Sequence, residues 1–468
     1  MVFWIALILW ISTSNLPSDS IFIGSCAAIS VLSCFLLLNP WQSDPFEPIK
    51  LVVFLYGGSF GLGPLLLGPE GMYKIPYLGG AWERLLSEGS LLALFGLLVM
   101  LFGYYLYGLF PKSKPCPPWE LTKGDRKVIT IFGIILLVFG FFSYAILVDQ
   151  AGGLSHFLLY TGGRAEIFQN AFGALYWTSF LLISGLSAIG CAQARSHPFI
   201  VVALAVAIGL LYFPFQGREA IIAPIMCGLM LVHYGYKRIG AKWIMIMAFS
   251  LTLMASFVGY FRTIDKADVY GRPEEVVESY TDQFSHNLKR TFALNLEQMD
   301  AFLIALRHVE ISNKLLNGRS FIAWLEPVDR HLLGDIIDSE QAGRFMTILV
   351  NPEHRWTQTA LSPSIVGELY LNFALAGLSL GLFLYGLFIR FLDTKLRTIQ
   401  HDPLILMLYP YALWSTAKIV IDGTAHFFRI VVVLLPILLA YFYFSARFES
   451  QKKQFLPDPA ALVWKRDR

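Results

Sequence analysis

Long apolar stretches separated by short polar segments recur along most of the chain. A bilayer core takes about 20 helical residues, and the apolar stretches approach or reach that length. The pattern predicts helices at about 2–13, 20–38, 48–67, 88–108, 128–148, 172–192, 198–216, 219–236, 243–261, 365–390, 404–421 and 427–445. We therefore predict an all-α polytopic membrane protein with about 12 transmembrane helices. The first stretch is short, and a signal peptide is the alternative, although the basic start of such peptides is missing.

The composition agrees with this class of protein. The 468 residues are 56% hydrophobic and only 15% charged, whereas about a quarter of an ordinary soluble domain is charged. The net charge of +3 gives no indication of a nucleic-acid partner. No CxxC or HxxxH spacing occurs, so a metal site of Cys and His type is not supported. None of the five cysteines lies in 262–364, so we expect no structural disulfide in that segment.

Basic residues are concentrated in alternate loops. Together with Lys50 and Arg195, more than half of the 36 Lys and Arg residues lie in 108–127, 237–242, 390–397 and 447–468. Short loops rich in Lys and Arg face the cytoplasm. Both termini are therefore predicted to be cytoplasmic, and the hairpin that carries Arg218 is predicted to face outward.

One segment breaks the alternation of helices and short loops. About a hundred residues separate the ninth and tenth predicted helices on the outer side, and loops of this length are usually functional. The predicted organisation is nine helices, a large outer loop, three helices and a cytoplasmic tail: 1–261, 262–364, 365–446 and 447–468. No internal repeat is visible, so a transporter built from inverted repeats gains no support.

Residues 288–310 of this loop have the period of an amphipathic helix. At about 100° per residue, one face carries Phe292, Leu296, Met299, Phe302, Leu303, Leu306 and Val309. Asp300, Arg307 and His308 lie at the boundary of that face. We expect the helix to lie on the membrane surface or over the transmembrane helices. Its polar side is either solvated or faces a substrate.

Two further segments of the loop mix arginine, histidine, carboxylate and aromatic side chains. They are NGRSFIAWLEPVDRHLLGD (317–335) and NPEHRW (351–356). The planar guanidinium of arginine suits phosphate, and aromatic faces suit sugar rings. The candidates here are Trp324, Arg330, His331, His354 and Trp356. Each of them taken alone fits a structural salt bridge better than a ligand contact. The recurrence of such clusters in one outward loop favours binding for the group.

The segment SPSIVGELYLNF leads into the tenth predicted helix. Ser362 and Pro363 form a plausible helix start. Glu368 follows within the first turns, near the predicted outer interface. A carboxylate in apolar surroundings is costly unless it is paired, and it is a functional candidate. An arginine is one candidate partner, and the pair would have either a structural or a catalytic role.

Three more arginines lie in the other predicted outer segments. Arg164 ends GGLSHFLLYTGGR, Arg218 belongs to GREAIIAP, and Arg429 ends TAHFFR. Snorkelling towards the interface explains any one of them. A shared anion site at the outer interface explains the set.

These segments, in this order, resemble motifs of the bacterial oligosaccharide repeat-unit polymerases, the Wzy-type O-antigen and exopolysaccharide polymerases. GGLSHFLLYTGGR resembles their outer loop with paired glycines and an arginine, and GREAIIAP resembles their glycine-arginine hairpin. Ten residues separate Arg307 from Gly318, which is similar to an arginine-ten-glycine motif. NGRSFIAWLEPVDR is similar to the glycine, aromatic and proline-arginine stretch, although Pro327 and Arg330 are not adjacent here. SPSIVGELYLNFALAG resembles the closing motif, with Ala374 in place of a glycine.

The resemblance implies a reaction at the outer face of the bacterial inner membrane. A glycan on undecaprenyl pyrophosphate is transferred to the next lipid-linked repeat unit, without a metal or a cofactor. It implies pyrophosphate binding by Arg164, Arg218, Arg307, Arg330 and Arg429, with Glu368, His331 and His354 as candidate bases. Trp324 and Trp356 would stack sugars. A chain-length regulator and a flippase are further candidate partners.

Other functions compete with this reading. An O-antigen ligase uses the same kind of donor but delivers the glycan to a lipid A core. A polyprenyl-phosphate-dependent glycosyltransferase usually has an acidic pair in its first outer loop, whereas SNLPSDS here has one Asp. A flippase or another transporter of lipid-linked oligosaccharides would need a charged central cavity and two similar halves. Most charges are predicted at the outer ends of the helices instead.

Overall fold

The structure is a computed structural model. It describes residues 18–38, 44–72, 76–107, 121–150, 152–153, 173–213, 218–240, 298–325, 339–352, 361–396, 402–424 and 427–455, together with positions 243, 246 and 250. Every regular element within these ranges is helical, in agreement with the all-α prediction.

The described α-helices are numbered here in chain order. They are α1 (Ser18–Leu37), α2 (Pro48–Gly57), α3 (Gly63–Met72), α4 (Trp82–Tyr107), α5 (Lys123–Gln150), α6 (Gly173–Ser179), α7 (Leu181–Gln193), α8 (Pro198–Leu211), α9 (Arg218–Gly235), α10 (Met299–Ser312), α11 (Ala342–Val350), α12 (Ser364–Leu396), α13 (Ile405–Asp422) and α14 (Phe427–Phe455). A π-helical turn, Gly58–Leu62, joins α2 to α3. Two 3-10 helices, Pro76–Ala81 and Arg319–Leu325, precede α4 and follow α10.

Seven helical stretches within the described ranges are long and apolar enough to cross a membrane. They are Asp19–Leu37, Pro48–Leu67, Tyr77–Leu106, Lys123–Gln150, Leu175–Gln193, Ser364–Lys395 and Phe427–Arg447. Pro198–Leu211 and Ala220–Gly235 are shorter apolar helices. Large apolar side chains such as Val31, Phe139 and Phe442 are exposed along these stretches, as expected of surfaces that contact lipid. The fold agrees with a polytopic membrane protein, and the count of twelve helices stays a prediction.

Two of the twelve predicted helices cannot be compared with the structure. The stretch 2–13 lies outside the described residues, and so does nearly all of 243–261. Most of the predicted loop 262–364 is likewise undescribed, apart from 298–325, 339–352 and the residues that lead into α12.

Three of the predicted helices are present as long helical stretches, but each contains a local irregularity that the sequence did not indicate. The stretch 48–67 contains the π-helical turn Gly58–Leu62, and 172–192 is divided at Phe180 into α6 and α7. In α12, Phe373 (φ −144°, ψ 18°) and Ala374 (φ 50°, ψ −140°) leave the helical region. Apolar periodicity reports which positions are buried, and it carries no information about a local change of backbone angles.

Buried apolar side chains form two large clusters. One cluster joins α5 to α9 with α13 and α14. The other joins α1, α2, α4 and α12, and it includes Met299, Phe302, Leu303 and Leu306 of α10. The predicted apolar face of this amphipathic helix is therefore confirmed in its described part. Helix α10 packs against α4 and α12, and Arg307 and His308 are half-buried at the boundary as predicted.

Polar clusters lie at both ends of α12. Glu368 and Asn372 are buried near its start. Near its end, the hydroxyl of Tyr104 lies 3.4 Å from Oδ2 of Asp393, which also pairs with Arg390. Buried charged groups are thus not confined to the predicted outer end of the molecule.

Candidate functional site

The break in α12 frees backbone carbonyl groups that a neighbouring segment then binds. Where a helix ends, its last carbonyls lose their intrahelical partners. The amide of Leu316 donates to the carbonyl of Leu371 at 3.0 Å, and that of Asn317 donates to Asn372 at 3.2 Å. The chain that follows α10 therefore docks through its backbone on the part of α12 before the break, 364–372.

Asn372 fixes this docking with its side chain. Its Oδ1 accepts a hydrogen bond of 2.8 Å from the amide of Gly318. Its Nδ2 donates to Ser320 Oγ at 2.7 Å and to the carbonyl of Glu368 at 2.8 Å. Asn372 is fully buried, so these bonds replace the water that its amide loses. Sequence reasoning missed Asn372, although its spacing of four from Glu368 places both on one helix face.

Glu368 is the centre of the buried network. Ser320 Oγ donates to its Oε1 at 2.7 Å, the amide of Thr424 donates to Oε2 at 2.6 Å, and the Thr424 hydroxyl donates to Oε1. The side chain is 2% exposed. In the part of the chain that the structure describes, hydroxyl groups and a backbone amide hold the carboxylate, and not the arginine considered from the sequence. Such donors stabilise a buried carboxylate without a second charge.

Two glycines permit this close approach. Gly318 has φ +88°, and Gly423 has φ +60°, a region that glycine enters at little cost. A Cβ at Gly423 would lie 2.3 Å from Oε2 of Glu368. Glycine at position 423 therefore lets the backbone of Thr424 reach the carboxylate. The sequence does contain an indication of this turn, because Gly423 is an isolated glycine just after an apolar stretch.

The start of α12 differs by a residue or two from the prediction. Ser364, and not Ser362, caps the helix, because its Oγ accepts a bond of 3.1 Å from the amide of Gly367. The hydroxyl of Ser362 lies instead 2.9 Å from Oδ1 of Asp422 and 3.0 Å from the carbonyl of Ile421. The end of α13 is thereby tied to the start of α12, beside Glu368.

A small pocket opens at this network. Its lining combines residues of the 3-10 helix, of α11 with the residue before it, and of the start of α12: Ser320, Ala323, Trp324, Gln341, Ala342, Pro363 and Glu368. The structure thus brings together Glu368 and Trp324, which sequence reasoning selected separately. The free volume is about 10 Å³, which is the room of one water molecule. A sugar ring does not fit this pocket in its present form.

Arg429 lies at the start of α14 in an aromatic environment. It is 5% exposed, and its guanidinium carbon lies 5.1 Å from the ring centre of Phe180. Phe180 in turn stacks on Tyr212 with 5.0 Å between ring centres. A cation over an aromatic face is stabilised electrostatically. Helix α14 also contacts the 3-10 helix that carries Trp324.

Arg307 has different surroundings. Its Nη1 lies 3.1 Å from Oε2 of Glu310 on the same helix. The neighbouring His308 packs against the ring of Phe345 with 4.8 Å between ring centres. Burial lowers the pKa of His308, and the charge of Lys314 acts in the same direction. Arg307 thus pairs with Glu310, and Arg429 lies over Phe180. The anion site shared by the arginines stays a prediction.

The remaining predicted site residues stay predictions. Arg218 is the first residue of α9, but the placement of its side chain is not described. The others lie outside the described residues: Arg164, Arg330, His331, His354 and Trp356.

Comparisons with protein-family models, with curated proteins and with solved structures found no match to this chain. Its function has to be inferred from the site and from the sequence motifs.

Proposed function

We propose that this protein is a glycosyltransferase that polymerises oligosaccharide repeat units carried on undecaprenyl pyrophosphate. The reaction takes place at the periplasmic face of the bacterial inner membrane. The observation that carries the proposal is the buried network of Glu368, because it joins two segments that separately resemble polymerase motifs. Gly318 and Ser320 of NGRSFIAWLEPVDR bind Asn372 and Glu368 of SPSIVGELYLNFALAG.

The expected position of the Glu368 network relative to the membrane supports a lipid-linked substrate. The part of α12 after the break, 375–395, is about 30 Å long at 1.5 Å per residue. This length matches the hydrocarbon core of a bilayer. When that part crosses the membrane, the residues of α12 before the break, Glu368 among them, lie at the interface, where the pyrophosphate of a polyprenyl lipid also lies.

The chemistry needs few groups. A hydroxyl oxygen of the acceptor sugar attacks the anomeric carbon of the donor, and the bond from that carbon to the pyrophosphate oxygen breaks. A base takes the proton of the hydroxyl, for which Glu368 is our candidate. Arginines stabilise the charge that develops on the leaving pyrophosphate. Trp324 offers a ring on which a sugar can stack.

The size of the pocket adds a requirement. Because the pocket beside Glu368 now has room for one water molecule, Trp324 and α11 have to separate when the glycan binds. The carboxylate already accepts three hydrogen bonds from described residues, out of about four acceptor positions. The remaining position faces the acceptor hydroxyl in our proposal.

The proposal is tested by incubating the purified protein, in lipid nanodiscs, with a lipid-pyrophosphate-linked repeat unit from its own host. We expect a ladder of longer lipid-linked products on a gel. If no ladder forms, the polymerase proposal is overturned. Addition of a lipid A core to the same mixture then tests the ligase. A transporter would instead move the lipid-linked glycan between the two faces of a vesicle and leave it unchanged in length.

A further inference from the structure

Arg84 and Arg307 hold one carboxylate from two sides. Arg84 lies in the first turn of α4, and Arg307 lies on α10. Nη2 of Arg84 pairs with Oε1 of Glu310, and Nη1 of Arg307 lies 3.1 Å from Oε2 of the same residue. Each oxygen of Glu310 therefore takes one guanidinium. Arg84 also pairs with Glu88 at 2.9 Å.

The cluster is accessible. The side chains of Arg84, Glu310 and Arg307 are 48%, 40% and 24% exposed. Ion pairs with this exposure add little to stability, because water solvates both partners well in the unfolded state. Nε of Arg307 is buried and has no hydrogen-bond acceptor among the described residues.

The position of the cluster suits the head group of a lipid. Arg84 stands near the start of the membrane-spanning stretch Tyr77–Leu106, and long basic side chains at such ends reach the level of the head groups. Helix α10 packs closely against α4 at Gly89, where an added Cβ would lie 2.6 Å from Cδ2 of Leu303. This packing fixes Arg307 beside the first turn of α4.

We propose that Arg84 and Arg307 together bind the diphosphate of a polyprenyl lipid, and that Glu310 occupies the site when the lipid is absent. The inference rests on the proposed function and assigns one of the two lipid-linked substrates to this site. Two guanidinium groups that face the two oxygens of a carboxylate are arranged as phosphate oxygens require. A diphosphate displaces Glu310 because it carries more charge and more acceptor oxygens.

The competing explanation is a structural one, in which Glu310 only fastens α10 to α4. The two explanations predict opposite effects for Glu310→Gln. If Glu310 only fastens the two helices, Glu310→Gln should disturb the site and weaken lipid binding. If Glu310 competes with the diphosphate, Glu310→Gln should strengthen lipid binding.

The test measures the affinity of the full-length protein for undecaprenyl pyrophosphate in phosphatidylcholine nanodiscs. Arg84→Gln is expected to weaken binding about tenfold, which is typical for the loss of one charged hydrogen-bonding partner. Glu310→Gln is expected to tighten binding severalfold. Arg344→Gln, an exposed arginine of α11, is the control and should leave the affinity unchanged. Undecaprenol and inorganic pyrophosphate serve as comparison ligands.

The site is overturned if Arg84→Gln binds like the wild type, or if Glu310→Gln weakens binding as much as Arg84→Gln does. Inorganic pyrophosphate that binds as tightly as the lipid overturns the assignment to a lipid. Equal binding of undecaprenol overturns the assignment to the diphosphate. The proposed function and the proposed site can fail separately. If the variants show the expected order of affinities but no product ladder forms, the lipid site stands and the polymerase function is overturned. If a ladder forms but the affinities do not follow that order, the polymerase function stands and the site is overturned.

Discussion

At the scale of single residues, Ala374 has a backbone conformation that normally requires glycine. Its φ of 50° and ψ of −140° lie outside the regions that a side chain with a Cβ enters easily. Such a residue costs on the order of 1–3 kcal/mol. The polymerase motif that this segment resembles has a glycine at the position. The break in α12 explains why a glycine suits this position, since glycine adopts these backbone angles without strain. The sequence alone did not provide this explanation.

Ala374→Gly is therefore expected to stabilise the protein by about 1 kcal/mol, because removal of the Cβ relieves the strain. Thermal unfolding in detergent measures the effect as a rise in Tm. Ala376→Gly is the matched control, since Ala376 is exposed within the helix after the break and glycine there costs about 0.5–1 kcal/mol. A fall in Tm for both variants would contradict the assigned geometry at Ala374.

At the scale of elements, α10 organises the end of the molecule at which Glu368 lies. It buries Phe302 and Leu303 against the helices beneath. The backbone amide of Gln298, just before its start, donates to the carbonyl of Ser59 in the π-helical turn at 3.2 Å. The chain that leaves α10 then docks on the break in α12. A rigid α10 therefore positions both Arg307 and the segment that carries Ser320.

Gly89→Leu tests this packing, because a Cβ at position 89 would lie 2.6 Å from Leu303 and 3.2 Å from Leu306. We expect faster hydrogen exchange throughout 299–312 and a loss of stability of about 1–3 kcal/mol, as for other overpacked interfaces. Gly24→Leu is the control, since nothing lies within 4 Å of a Cβ there. Unchanged exchange in Gly89→Leu would show that α10 does not depend on this contact.

The sequence predicts some of these features well and others not at all. The apolar face of α10 followed from its period of 3.6 residues, and Glu368 was selected because an acid at the start of an apolar helix is costly. Ser320 and Thr424 were not found. Hydroxyl residues are common in loops and helix ends, and no spacing along the chain joins 320, 368 and 424. An arginine was considered as the partner of Glu368 because it carries the opposite charge. That argument leaves out neutral hydrogen-bond donors such as hydroxyl groups and backbone amides.

At the scale of the whole molecule, α12 connects two buried polar clusters. The cluster at Glu368 includes a pocket and two segments that resemble polymerase motifs. The cluster at Asp393 joins Tyr104, Glu47 and Arg390 and holds α2, α4 and α12 together at the opposite end. We assign chemistry to the first, because the pocket and the Trp324 side chain lie there.

The most direct test of this account is the rate of polymerisation by Glu368→Gln, compared with the wild type at equal amounts of folded protein. The hydroxyl groups of Ser320 and Thr424 can reverse their hydrogen bonds towards an amide, so we expect Tm to change little. Loss of a general base typically slows a reaction by about 10²–10⁴-fold, and the product ladder should disappear. A ladder formed at the wild-type rate would show that Glu368 only supports the fold and would contradict the central claim.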